Sequence, residues 1–288
     1  MAEQMSTDGA CASRPRSSSS FPTEGAMSVP EKRASRNYRM DHPRRGRAHI
    51  FNQRSFEGDI LPRRDGTDQD VVNLRSTLDS LNFDVIVHQD KRCREIADIL
   101  ENLANEDHSD ADCLFVALFT HGGEKEMVWA YDLEFSTEIF WSTMSSTNCP
   151  SLAGKPKIFL VQACRGKKTN EPVRVAKAGR NSSSQDTNGN FTITLPNHSD
   201  CLLIYSSIPG FYSIRHPVRG SWLVQAFCRV MDTEKYDDDL VSIVTEVNRV
   251  VASKVEVIIP DENQRDIRHK QMCCFTSMLR KKVQFAKK

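Results

Sequence analysis

An α/β fold with a mainly parallel sheet covered by helices is predicted by three features of this 288-residue chain. Short apolar runs such as Cys113 to Thr120 and Ile158 to Val161 read as buried strands. Between such runs lie stretches whose apolar residues recur at helical spacing. The two kinds of segment alternate, which is the order of βα units building a parallel sheet.

Residues 1 to 37 are rich in Ser, Pro and Arg, include the run Ser17 to Ser20, and have no periodic apolar pattern. They are expected to be a solvated, disordered tail, although their basic excess also suits an anionic surface. From Thr67 the pattern changes. Val71, Leu74, Leu78 and Leu81 mark a helix, with Thr67 and Asp70 as its capping box. Phe83, Val85 and Val87 alternate as a strand, and Ile96, Ile99, Leu100 and Leu103 form a second amphipathic helix. Strands follow at Cys113 to Thr120 and Pro156 to Val161. Lys167 to Asn190 is polar and aperiodic, so it reads as a long exposed loop. Cys201 to Tyr205 restores a buried strand. Trp222, Phe227 and Val230, then Leu240, Ile243, Val244 and Val247, predict two helices, and Cys273 to Leu279 a final strand.

Composition excludes several functions. A hydrophobic fraction of 39% supports a sizeable core, while 39 basic against 38 acidic residues leave a net charge of +1. Such balance gives no general pull toward nucleic acid or membrane. Nine cysteines without metal-ligand spacing suit a reducing compartment, so a cytoplasmic location is expected. No stretch approaches the ~20 apolar residues of a membrane span, and no apolar signal segment opens the chain. No phosphate-cradling glycine pattern follows any expected strand. The chemistry below requires neither metal nor cofactor.

That chemistry begins at Gln162, Ala163, Cys164, Arg165 and Gly166, directly after one apolar run. A second run ends in His121, Gly122 and Gly123, so two strands deliver an imidazole and a thiol, 43 residues apart (164 − 121). A free thiol titrates near ~8.5 and needs a neighbouring base or cation to act as a nucleophile near neutrality. His121 supplies the proton transfer. Gly122 permits close backbone approach, and its N–H with that of Cys164 forms a candidate oxyanion hole. Singly, these residues would read as a buried thiol, a surface imidazole and a plain turn.

The pentapeptide, with its upstream histidine, resembles the signature of the caspase family. The similarity runs from Tyr38, Arg39, Met40 and Asp41, through Arg64, Gly66, Thr67 and Asp68, to Lys270 to Leu279. The resemblance implies a mainly parallel sheet of about six strands flanked by helices on both faces. It also implies an aspartate-directed cysteine endopeptidase in which Arg64, Gln162 and Arg215 line the pocket for the aspartate before the scissile bond. Arginine forks suit a carboxylate because they bind it in planar, charge-assisted geometry. Tyr212 and Trp222 match aromatic positions of neighbouring pockets, and Ser221 a minor contact. Ile214 stands where the family commonly has Trp, and Pro217 follows His216 in the loop that reads extended substrate. Thr120 replaces the usual Ser before the histidine.

The expected organisation is a short prosegment over 1–37 and a caspase domain over 38–288. Within the domain, a large subunit over 38–186 and a small one over 187–288 are joined by an intersubunit loop over 167–199. Asp186 is the expected processing site, Asp8 a second, and Asp200 a poorer one because it abuts a strand. No adaptor domain fits within the first 37 residues, which resembles executioner members activated by other proteases. Partners implied are protein substrates with exposed aspartates, an activating initiator caspase, inhibitor proteins, and a second copy of the chain pairing through its last strand. The competing reading is a catalytically weak homologue that binds and regulates active caspases.

Overall fold

The computed structural model describes residues 35–123, 127–166, 197–254, 256–260 and 266–288. The expectations for Asp8, Asp186, most of the prosegment and most of the 167–199 loop lie outside these residues. In chain order the elements begin with β1 (Arg47–Asn52), α1 (Thr67–Asp79), β2 (Asp84–Gln89), α2 (Cys93–Asn105) and β3 (Leu114–Phe119). A hairpin of β4 (Met127–Trp129) and β5 (Glu134–Ser136) precedes α3 (Glu138–Thr143), β6 (Lys157–Gln162) and β7 (Cys201–Tyr205). A second hairpin, β8 (Arg215–His216) and β9 (Gly220–Ser221), leads into α4 (Trp222–Glu234) and α5 (Leu240–Lys254). The remaining strands are β10 (Val257–Pro260), β11 (Asp266–His269) and β12 (Cys274–Ser277).

Six strands form the central sheet in the order β12-β7-β6-β3-β1-β2. All neighbours pair in parallel except β12, which runs antiparallel to β7 at the edge. β3, β6 and β7 are buried along their whole length, which explains their unbroken apolar sequence. Because side chains alternate across a strand, each contributes to two separate cores. Ala48, Ile50, Phe115, Ala117, Ile158, Leu160, Leu202 and Ile204 face α1, α4 and α5 through Leu74, Leu78, Phe227, Ile243 and Val247. Phe51, Leu114, Val116, Leu118, Phe159 and Leu203 face α2 and α3 through Ile96, Leu100, Leu103 and Phe140. Each fully buried Leu or Phe contributes roughly 1.5–3 kcal/mol. The result is a sheet with helices on both faces, as the sequence predicts.

Three expectations are corrected. Thr67 is not an N-cap: Gly66, at φ +83°, precedes the helix, and Thr67 is its first residue. Asp70 makes no capping box because its carboxylate accepts instead from Ser221, 151 residues away in sequence. The final strand is shorter than expected, Cys274–Ser277 in place of Cys273 to Leu279, and lies at the sheet edge.

Asp200 is fully buried and is held by four donors. Arg280 donates from Nε and Nη2 at 2.9 and 3.0 Å, Tyr38 from its hydroxyl at 2.6 Å, and Ser199 from Oγ at 3.1 Å. Burial alone would raise its carboxyl pKa, but the bonds from Arg280, Tyr38 and Ser199 outweigh it and the net shift is downward. A depressed carboxylate stabilises the fold above the ordinary carboxylate range, and that contribution is lost as pH falls through the folded value. Arg280→Ala is therefore expected to cost about 3 kcal/mol at pH 7, read from the urea midpoint, with a smaller loss at pH 3. Equal losses at both pH values would show that packing, not charge, is what Arg280 supplies.

Candidate active site

The pairing of β3 with β6 sets the geometry. Phe119 stands beside Gln162 in the parallel register, so two residues further on each strand His121 stands level with Cys164. The Thr120 N–H donates to the Gln162 carbonyl at 3.1 Å, which carries the alignment past the strand ends. At Gly122 the backbones come so close that a Cβ would overlap the Cys164 carbonyl oxygen. Only glycine fits there, whatever else the residue does.

His121 donates from Nε2 to the carbonyl of Pro62 at 2.8 Å. A carbonyl only accepts, so Nε2 carries the proton and Nδ1 keeps its lone pair. Burial pushes the imidazole pKa below its usual value; the Pro62 bond opposes this, and Arg64 and Arg215 reinforce it. The ring is thus neutral at physiological pH and able to accept a proton.

Cys164 is partly exposed, with its Sγ accepting from the Ser213 N–H at 3.4 Å and lying 3.6 Å from the Ser213 carbonyl. Other cysteines differ in environment. Burial pushes Cys113, Cys228 and Cys273 up to about 12 and Cys201 to about 11, which leaves them as inert thiols. The chain around Cys164 is laced to the segment after β7: Ala163 bonds Ser206 Oγ through both its N–H and its carbonyl, and Arg165 pairs with Phe211 and Gly210. Gln271 is buried behind that segment, accepting from the Ile214 N–H at 2.7 Å and donating to the Ser206 carbonyl at 2.7 Å.

Beside the thiol sits a cluster of cations. Arg64 has no exposed surface. Its Nη1 donates to the Gln53 carbonyl and to Thr67 Oγ1, both at 2.9 Å, while Nε and Nη2 are buried without a partner. Burial, then Arg215, lowers its pKa to about 9, with Asp70 and Cys164 opposing. Arg215 donates from Nε to the Asp65 carbonyl at 2.8 Å; burial lowers its pKa, while Asp70, Cys164 and Asp65 oppose. Gln162 donates to Ser213 Oγ at 2.6 Å and leaves its Oε1 buried and unpartnered. A buried guanidinium with unsatisfied N–H groups forgoes charge-assisted bonds that an entering anion would supply.

Of the residues singled out from sequence, His121, Gly122, Cys164, Arg64, Gln162 and Arg215 therefore converge. Ser221 is buried just behind Arg215, paired with it across the β8–β9 hairpin. Trp222 opens α4 and lines a cleft of about 470 Å³ with His216, Arg219 and Arg229. Tyr212 is 45% exposed at the other end of the segment. Sequence reasoning missed Pro62, Asp70, Ser213 and Gln271. Asp70 was visible only as a helix-start acid, and the others gave no signal, because a backbone carbonyl or a tertiary hydrogen bond leaves no pattern in composition or spacing.

Comparison with known proteins bears on the family and the fold. The family model described as the Caspase domain matches residues 45–284. Caspase drICE of Drosophila melanogaster is 36% identical over 271 residues, covering 94% of this chain and 78% of that protein. Caspase-7 of Gallus gallus is 34% identical over 249 residues, covering 86% of this chain and 79% of that one. The crystal structure of Caspase-1 from Spodoptera frugiperda superposes with a TM-score of 0.81 at 35% identity, covering 91% of this chain and 97% of that one.

The contact at Gly122 gives a direct test. Gly122→Ala is expected to force the Cys164 backbone aside, lowering stability by about 1–3 kcal/mol and changing the rate at which iodoacetamide alkylates Cys164. An unchanged melting temperature together with an unchanged alkylation rate would contradict the close approach.

Proposed function

This chain belongs to the caspase family and is a cysteine-type, aspartate-specific endopeptidase, and from that premise we propose that it is a zymogen activated by cleavage after Asp186 and acting as an executioner of apoptosis. The observation that carries the substrate assignment is the buried Arg64 guanidinium with two unpartnered nitrogens. An aspartate carboxylate entering beside Arg215 would accept the N–H bonds that Arg64 leaves unmade, and asparagine would bring no charge to do so. Glutamate differs by one methylene, worth ~1–3 kcal/mol, so pocket depth must exclude it.

In the proposed reaction the Cys164 thiol loses its proton to His121 and attacks the scissile carbonyl carbon. The tetrahedral oxyanion is held by the N–H groups of Gly122 and Cys164, a type of contact worth about 3 kcal/mol per donor. His121 returns the proton to the leaving amine as the peptide bond breaks, leaving a thioester on Cys164. Water then attacks the thioester carbon, giving a proton to His121, and the aspartate-ended product leaves as the thiol re-forms. The Pro62 carbonyl fixes the ring tautomer that this exchange uses.

The subunits on either side of Asp186 supply different parts, the large one His121, Cys164 and Arg64, the small one Arg215, Ser221 and Trp222. Asp8 is a second processing site, at which a cut would release residues 1–8 of the prosegment. β12 forms an edge of the sheet with β7 on its one paired side, which supports a homodimer joined through that strand. An activating initiator protease, inhibitor proteins and a cytoplasmic location complete the reading. Among the described residues no helix is long and apolar enough to cross a membrane.

Protein cut after Asp186 is expected to turn over fluorogenic peptides ending in Asp and not those ending in Asn, with Glu far behind, and Cys164→Ala is expected to lose turnover by about three orders of magnitude or more. Absence of turnover in correctly cut, dimeric protein would favour a regulatory homologue instead. Asp186→Ala should stay a single chain by mass spectrometry with low activity; full activity from that uncut chain would contradict zymogen activation. In a peptide library Ile214, lacking an aromatic wall, is expected to give weak discrimination at the residue just before the aspartate.

A further inference from the structure

One carboxylate in the pocket region does nothing in the reaction above. Asp70 lies in the first turns of α1, fully buried. Its Oδ1 accepts from the Ser221 N–H and its Oδ2 from the Ser221 hydroxyl, both at 2.6 Å. It thus takes both donors of one residue in a buried two-residue strand. Gly220, at φ +85°, is pressed so closely that a Cβ there would overlap Asp70 Oδ1. A second close contact lies at Gly66, at φ +83°, where a Cβ would overlap the carbonyl oxygen of His216. Arg215 itself bonds the Asp65 carbonyl. Residues 64–70 and 215–221 therefore touch at both ends and in the middle of the hairpin.

The consequence concerns Arg215. In the β8–β9 register Arg215 is the partner of Ser221, so whatever fixes Ser221 also fixes the backbone that carries this guanidinium. We propose that Asp70 is a positioning residue of the aspartate pocket: by pinning Ser221 to α1 it holds Arg215 in place opposite Arg64. This rests on the protease reading above and deepens it. The contact also crosses from one proposed subunit to the other, so the clamp couples completion of the pocket to the docking of the small subunit on α1.

The charge of Asp70 is part of the device. Arg64 faces it from the loop before α1, Arg215 from β8, and the buried Cys228 thiol from α4. Burial raises the Asp70 carboxyl to about 6 despite the Ser221 bonds and the two arginines. As pH falls through that value the proton occupies an oxygen that otherwise accepts from Ser221, and the clamp loosens. Substrate affinity then weakens on the acid side, well above the pH at which a free aspartate, near ~3.9, is itself protonated.

The test is binding and turnover of one aspartate-ended peptide across pH 5 to 8, with the dissociation constant measured by calorimetry on Cys164→Ala protein and KM and kcat on the active form. Asp70→Ala is expected to weaken binding and raise KM about tenfold or more, with kcat changed far less. Asp70→Asn keeps one acceptor for Ser221, so a smaller rise is expected and the weakening near pH 6 should disappear. Binding unaltered by Asp70→Ala, or an Asp70→Asn protein with the original pH curve, would overturn the proposal. A proportional fall in kcat and in folded fraction, with KM intact in the remainder, would do the same by reducing Asp70 to a stability role. Should the parent protein neither bind nor cut the peptide, the protease reading itself fails and the proposal falls with it.

Discussion

The parallel pairing of β3 with β6 is the constraint on which the site depends. Its register places His121 level with Cys164, and a slip of one residue by either strand would turn that strand's side chain to the opposite face. The register is strongly specified because both strands are buried on two faces, so a slip would exchange the contents of two packed cores. The cost of misalignment is thus borne by the core, and the alignment of the imidazole with the thiol comes as its by-product. Gly122 follows from the same fact. Where two strand ends run on side by side, the next residue meets the neighbouring backbone, and a side chain has no room.

Around this frame the protein keeps charge in poor surroundings. Arg64 is fully buried with two unpartnered nitrogens, and Arg215, the cation that acts on it, is also partly desolvated. Asp70 alone does not settle the imbalance. Elsewhere the chain satisfies buried ions generously, as at Asp200 with Arg280 and Tyr38, and at Asp112 with Arg45, His42 and Lys288. The contrast locates the place where stability is given up. The Arg64 N–H groups left unmet near the Cys164 thiol are donors that an entering anion would satisfy.

The segment after β7 links these parts without belonging to any regular element. Ser206, Ser213 and Ile214 are tied to Ala163, to the thiol and to Gln271, so the thiol and the approach to β8 are held by one hydrogen-bonded web. Gln271 joins that web to the strand that ends the sheet, since it lies three residues before β12. Any movement at that edge would be felt at Ile214, one residue from Arg215. The physical continuity between sheet edge and pocket is therefore short.

Much of this was legible in the sequence. Unbroken apolar runs gave β3, β6 and β7, helical spacing gave α1, α2, α4 and α5, and the pentapeptide with its upstream histidine gave the thiol and imidazole. Such features are local, and local patterns survive in a single sequence. β1 escaped notice because Ala48, Ile50 and Phe51 are interrupted by His49 and flanked by Arg47 and Asn52; its burial is visible only once β2 and β3 lie on either side. Asp70 was misread as a helix cap because its partner, Ser221, lies 151 residues further on. The Pro62 carbonyl and the Gln271 amide could not be read at all. By itself the sequence determined the layers of the fold and the chemical groups delivered to the sheet edge, since periodicity and motif are properties of neighbours along the chain. The tautomer of His121, the unmet nitrogens of Arg64 and the clamp on the hairpin were decided by tertiary structure, because each depends on which distant polar groups meet when the core closes.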